Sequence, residues 1–168
     1  SLDLLLAISQ SAKEDAIKLL GIPEEKIKVI YAGIDQDFSR LEKVNIKALK
    51  QRYGISDAFI MFAGGIDFKK NIEGLITAYS NLPQNMINRN QLVITGKASK
   101  EQIQKYSDLA KNNGVEGRVI FTGFIPKEDL IALYNTTELL VFPSLYEGFG
   151  LPVIEAMACG TRVITSNV

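Results

Sequence analysis

Residues 59–97 read FIMFAGGIDFKKNIEGLITAYSNLPQNMINRNQLVITGK, and the fold is decided in this stretch. An apolar run from Phe59 to Ala63 breaks at Gly64-Gly65, and a second run returns at 91–95. Between them, residues 71–82 carry apolar side chains at helical spacing. Strands that are apolar on both faces and joined through a helix build a parallel sheet covered on both sides. The same rhythm continues in the runs 118–122, 138–142 and 162–165, with helix-period segments at 99–113, 127–135 and 151–158. The expected fold class is therefore α/β, a doubly wound, Rossmann-like parallel sheet.

The residues before Phe59 are less regular. LLLAIS (4–9) reads as a buried strand, and a helix follows, with Ser11 and Glu14 spaced as a capping box and Gly21 as its stop. IKVIYAGID (27–35) is a second strand-like run, and 39–54 reads as a short charged helix. The polar turn region 35–46 is the weakest point for a domain boundary.

Composition narrows the function classes. Lys and Arg together number 19, as do Asp and Glu, so the formal net charge is zero, which gives no reason to expect nucleic acid or an anionic membrane as a partner. One cysteine leaves no internal disulfide framework and suits a reducing compartment. The apolar core of the first fifteen residues is too short to span a bilayer, and no basic residues precede it, so neither a signal peptide nor an anchor is expected there. The chain has no histidine, which removes Ser-His and Cys-His nucleophile schemes and His-ligated metals.

In a doubly wound sheet, ligands bind beyond the carboxyl ends of the strands, where helix N-termini face the crevice. Four turns occupy that position: 64–71, 96–99, 123–129 and 143–150. In the first, glycines let the backbone approach a ligand, and Lys69 and Lys70 open the next helix. Lysine there opposes the helix dipole, and a bound phosphate would account for it; a solvated basic loop is the plain alternative. Two nucleotide fingerprints are excluded. No Gly-x-Gly-x-x-Gly follows a strand, and TGKAS (95–99) lacks both the first glycine and the magnesium-binding hydroxyl of a P-loop, having Gln91 and Ala98 at those places.

The fourth turn opens PSLYEGFGLPVIEAMACG (143–160), with Glu147 before Gly148-Phe149-Gly150 and Glu155 inside the helix begun by Leu151-Pro152. Proline suits a first helical turn, and the glycines let consecutive N–H groups converge on an oxyanion. The acids stand eight positions apart across turn and helix, a separation on the order of 10 Å, more than the paired carboxylates of a glycosidase. They suit two hydroxyl-bearing ends of one long ligand with phosphate between them. The plain alternative makes Glu147 a helix cap and Glu155 a solvated residue. The neighbours Val153, Ile154, Ala156, Met157 and Ala158 are an apolar setting for an unpaired charge and argue against it. Cys159 reads as a small buried hydrophobe, and the aromatic residues as core.

These motifs resemble the retaining glycosyltransferases of family four, which pair two Rossmann-like domains in the GT-B architecture. The residues carrying the resemblance are FPSLYEGFGLPVIEAMACGTRVITSN (an E-x7-E signature), GGIDFKKNIEGLITAY, LVITGK and VIFTGFIPKEDLIALYNTTELLVFPS, in the family's order and spacing. The resemblance implies that 39–168 is a donor-binding domain lacking its C-terminal end. It implies that 1–38 is the last strand–helix unit of an N-terminal domain and the crossing from it. It further implies a nucleoside diphosphate sugar donor, UDP- or GDP-linked, with neither a prosthetic group nor a metal required. Lys70 would meet the diphosphate, with Gly64, Gly65, Lys69 and Lys97 beside it. Glu147 would hold the sugar, the N–H groups across Gly148, Phe149, Gly150 and Leu151 would bind sugar and phosphate oxygens, and Glu155 would take the ribose diol. Phe124 and Ile125 would pack on the base.

Many family members have arginine where this chain has Gly65, and Lys69 is the candidate to replace part of that charge. The expected activity is retaining hexosyl transfer to a saccharide or lipid-linked acceptor in glycan biosynthesis, catalysed through Lys70 and Glu147. The acceptor would be held by the missing N-terminal domain. The expected location is cytoplasmic, with peripheral contact at the inner membrane face as a further expectation. This stretch alone would bind donor without transferring it. A non-catalytic nucleotide-sugar-binding module is the alternative reading.

Overall fold

The computed structural model describes residues 3–167. Strand β3 (Ala58–Ala63) lies at the centre of a five-stranded parallel sheet ordered β5-β4-β3-β6-β7, where β4 is Asn90–Thr95, β5 Val119–Gly123, β6 Leu139–Phe142 and β7 Val163–Thr165. All five predicted runs are strands of this sheet. Their apolar character on both faces has a direct cause: Phe59, Met61 and Phe62 in β3 and Leu92, Val93 and Ile94 in β4 are at most 1% exposed. Along β3, Phe59, Met61 and Ala63 enter one hydrophobic cluster and Phe62 the other, as the two-residue period of a strand requires. The first cluster takes in residues of α2 (Ile46–Tyr53), α6 (Lys127–Tyr134) and α7 (Leu151–Ala158), and the second those of α3 (Ile72–Ser80) and α5 (Lys100–Asn112). The fold is the expected doubly wound α/β sheet.

The chain runs outward from β3 to β4 and β5, then returns to place β6 on the other side of β3. The crevice between β3 and β6 is the topological switch point, where this class of sheet binds ligands.

A second, two-stranded parallel sheet pairs β1 (Leu5–Ala7) with β2 (Ile27–Val29), with α1 (Gln10–Leu20) between them in the chain. Both strands are shorter than the apolar runs that predict them. The α1 cap is Ser9, whose side chain accepts from the Ala12 N–H at 3.0 Å, so the expected Ser11–Glu14 box is not used: Ser11 already lies inside the helix. Gly21 does stop the helix, with φ of 63°.

The helix predicted at 39–54 begins only at Ile46, because the residues before it are held elsewhere. Asn135 donates to the Ser39 carbonyl and accepts from the Leu41 N–H at 2.8 Å, and Lys127 binds both Asp35 and Asp37. Phe38 is buried in the first cluster, with Ile34 packed against it. A further short helix, α4 (Gln84–Arg89), was not anticipated.

Candidate donor site at the sheet switch point

Three turns at the carboxyl ends of β3, β4 and β5 are stitched together by their backbones. Gly64 donates to the Thr95 carbonyl at 3.1 Å, Ile66 to Lys97 at 3.3 Å and Gly96 to Gly123 at 2.9 Å. The approach is closest at Gly96, where an added Cβ would fall 1.7 Å from the Gly64 carbonyl oxygen, with φ at 141°. Only glycine allows this contact. Gln102 of α5 donates to the Ile66 carbonyl and adds a side-chain tether to the same turn.

The lysines do not open α3 as expected. Phe68–Lys70 form a separate turn of 3-10 helix, capped by Asp67, whose side chain accepts from the Lys69 N–H at 2.8 Å. Asn71, in the left-handed region with φ of 54°, then ends that turn and caps α3. This break turns Lys70 toward the β6 loop, where its ammonium pairs with the Glu147 carboxylate and stands 5.4 Å from the centre of the Phe142 ring. The two side chains are 18% and 19% exposed. Lys69 instead lies over the Tyr146 ring at 5.0 Å, and the Lys69 carbonyl accepts from the Leu145 N–H. The switch-point crevice is thus bridged by a cation from one turn and an anion from the other.

Helix α7 starts from Gly150 with φ of 86°, with no side-chain cap and with Pro152 in its first turn. Gly150 uses the left-handed region anticipated for this turn; Gly148 does not have positive φ. The helix contributes residues to two clefts. One, of about 330 Å³, is lined by Gly64, Gly65, Lys97, Phe124, Ile125 and Glu155, together with Thr95, Gly96, Leu130, Tyr134 and Pro152. The other, of about 180 Å³, contains Glu147, Phe149 and Gly150 against Phe142, Val153, Ile154, Thr165 and Ser166. The two acids therefore line different clefts, Glu155 the larger and Glu147 the smaller, and α7 residues contribute to both. Lys70 joins the smaller cleft through Glu147, Gly148 stands next to Ile8, and Leu151 begins the helix, partly exposed.

Glu155 is half-buried, and burial pushes its carboxyl above the usual carboxylate range. The Tyr134 hydroxyl, which donates to it at 3.4 Å, pulls in the opposite direction. Burial raises the tyrosine itself far above the ordinary phenol range, so it is a fixed donor. The aromatic residues are expected mostly in the core, and Tyr31, Phe68, Phe124 and Tyr146 depart from this by being exposed. The Tyr134 ring is buried as expected, yet its hydroxyl faces Glu155. Phe124 is 72% exposed beside Ile125, which is buried, and the Lys97 ammonium lies 5.5 Å from the Phe124 ring centre. An exposed aromatic at the rim of a cleft offers a flat apolar face to a ring. Cys159 is buried, as predicted. Among the described residues no group of three or more His, Cys, Asp or Glu side chains could hold a metal ion.

With this geometry, similarity to known proteins is specific. The model of the family described as Glycosyl transferases group 1 matches residues 45–168. The serotype-specific mannosyltransferase WbdA of Escherichia coli is 41% identical over 169 residues, covering 99% of this chain and 21% of that protein. The O-antigen chain mannosyltransferase B of Escherichia coli is 32% identical, covering 100% of this chain and 44% of that protein. Among solved structures, Anabaena HepE in complex with UDP and glucose superposes with a TM-score of 0.85 at 26% identity, over 99% of this chain and 45% of that one. The chain spans less than half the length of each of these relatives. The chain belongs to the Glycosyl transferases group 1 family.

Proposed function

We propose that this chain carries the donor site of a retaining hexosyltransferase that uses a nucleoside diphosphate sugar. The observation that carries the reading is the Lys70–Glu147 pair bridging the switch point, beside a cleft that ends at Glu155. A nucleotide sugar presents, in order, a base, a ribose diol, a diphosphate and a hexose. Phe124 and Ile125 would pack on the base, Glu155 would accept from the ribose hydroxyls, and Lys70 would neutralise the diphosphate with Lys69 and Lys97 nearby. Glu147 would orient the hexose. The uncapped start of α7 adds backbone N–H groups where phosphate oxygens would lie.

In the reaction, the bond between the anomeric carbon and the diphosphate oxygen breaks, and the acceptor hydroxyl attacks on the face the diphosphate leaves, its proton passing to the departing phosphate oxygen. Negative charge grows on the departing phosphate. Lys70 and the α7 N–H groups would stabilise it without reorganising, and Glu147 would position the sugar rather than act as a nucleophile. These residues supply charge stabilisation by main chain and lysine, so no metal is required in this scheme.

The mannosyltransferase relatives favour mannose as the sugar, and the UDP complex of HepE favours a nucleoside diphosphate as its carrier. The acceptor, a saccharide or a lipid-linked saccharide, would be held outside these residues. No helix among the described residues is long and apolar enough to cross a membrane, and we place the enzyme in the cytoplasm or at the inner membrane face. Thermal unfolding with UDP, GDP and their hexose conjugates tests the reading. At least one should raise the melting temperature of the wild-type chain and not that of Lys70→Ala. No shift with any of them, or equal shifts in both proteins, would overturn it.

A further inference from the structure

The loop that carries Glu147 is not held by the large sheet alone. Between Phe142 and Leu151 there is no regular secondary structure, and the loop is fastened from two sides. On the side of the lysine turn, Leu145 bonds the Lys69 carbonyl, Lys69 lies over the Tyr146 ring, and Lys70 pairs with Glu147. On the other side stand residues of the small sheet and its helix. The Tyr146 hydroxyl donates to the Asp15 carboxylate of α1, 131 positions away in the chain. Tyr31, just after β2, packs on Phe149 with ring centroids 6.3 Å apart, and Ile8, just after β1, lies 3.9 Å from where a Gly148 Cβ would stand. Three consecutive parts of the loop, Tyr146, Gly148 and Phe149, each touch a different part of the first unit. They lie on both sides of Glu147 in the chain.

We infer that Tyr146 is a positioning residue for the donor sugar. Its hydroxyl is anchored by Asp15 and its ring lies beneath Lys69, so it fixes the loop register that aims Glu147. The inference rests on the donor reading above and adds that the first unit of the chain, which supplies none of the donor-binding groups named there, sets the place of the sugar contact. The geometry separates two effects. The Tyr146 hydroxyl bonds neither Lys70 nor the α7 start: Lys70 stands on the Asp67-capped turn and reaches this loop through Glu147, and α7 begins from its own backbone. Loss of the Tyr146 hydroxyl should therefore weaken contacts to the hexose and leave those to the diphosphate in place. A hydrogen bond to a charged group is strong enough for this to be measurable.

The test is calorimetric titration of the wild-type chain, Tyr146→Phe and Asp15→Asn with UDP-glucose, GDP-mannose, UDP and GDP. Phenylalanine keeps the ring under Lys69 and removes only the hydroxyl. The expected result is a loss of about tenfold in affinity for the sugar nucleotide, equivalent to ~1.4 kcal/mol, with affinity for the matching free diphosphate unchanged. Combining the two substitutions should cost no more than one of them, because both break the same bond. Equal losses for sugar nucleotide and free diphosphate would overturn the positioning role, as would wild-type affinities in Tyr146→Phe. If the wild-type chain binds none of the four ligands, the donor reading fails and this inference with it. If it binds them and the variants match it, this inference alone fails.

Discussion

Replacing Lys70 by methionine removes one charge from the Lys70–Glu147 pair and keeps most of the apolar stem. The remaining Glu147 side chain is only 19% exposed, so its carboxylate is left largely out of water without a countercharge. Removing one partner of a fully buried pair costs about 3–5 kcal/mol, while an exposed pair is worth ~0–1 kcal/mol. Side chains less than one-fifth exposed fall between these limits, and a cost of about 2 kcal/mol is expected. For a chain of this length, that lowers the melting temperature by roughly 4–8 °C. The assay is thermal unfolding of four proteins: wild type, Lys70→Met, Glu147→Gln and the double variant. Because the double variant has neither charge, it should melt above Lys70→Met, with a coupling of about 1–2 kcal/mol between the sites. Additivity to within about 0.5 kcal/mol would show that the charges do not interact, and the account of the switch-point bridge would be refuted.

Other substitutions test separate parts of the site. Gly96→Ala forces a Cβ to within 1.7 Å of the Gly64 oxygen and strains φ, so it should destabilise by more than the ~1–3 kcal/mol of backbone strain alone and abolish nucleotide binding; a wild-type melting temperature would contradict the stitched-turn geometry. The raised Glu155 carboxyl stabilises the fold only while protonated, a contribution present below the unfolded value and lost as pH rises through the folded one. Glu155→Gln should therefore melt at or above wild type at pH 7, with the gap closing below about pH 4, while it weakens nucleotide binding; a less stable variant at pH 7 would show that the ionised form is favoured. Phe124→Ala, at an exposed rim position, should leave stability within about 0.5 kcal/mol and weaken nucleotide affinity; unchanged affinity would remove Phe124 from the base site.

The large sheet was legible because its strands are nearly all apolar: runs such as FIMFA and QLVIT have few other uses in a globular chain. The positions of the phosphate turn and of Glu147 and Glu155 followed from where those strands end. Pairing across the chain was not legible. Lys70 and Glu147 are 77 positions apart, and only the β3–β6 adjacency brings them together. Local capping was misread where two serines competed: Ser11 lies inside the first turn of the helix, and Ser9, just before it, takes the role because its side chain reaches the Ala12 N–H. Helix α4 is short, and its two asparagines hide it, although Pro83 marks its start as the N-cap residue. Tyr134 was assigned to the core by its ring, and a one-dimensional pattern carries nothing about where its hydroxyl ends. The Asp15, Tyr31 and Ile8 contacts to the Glu147 loop arise from tertiary packing and have no local pattern at all.

The most direct measurement is a titration series in which the ligand grows one group at a time: nucleoside, nucleoside diphosphate, then nucleoside diphosphate hexose. Wild type is compared with Glu155→Ala, Lys70→Ala and Glu147→Ala. The account predicts that each variant loses the gain from its own group: Glu155→Ala the ribose contribution, Lys70→Ala the diphosphate increment and Glu147→Ala the hexose increment. Binding that is indifferent to all three substitutions, or no binding of any member of the series, would contradict the assignment of this crevice as a nucleotide-sugar site.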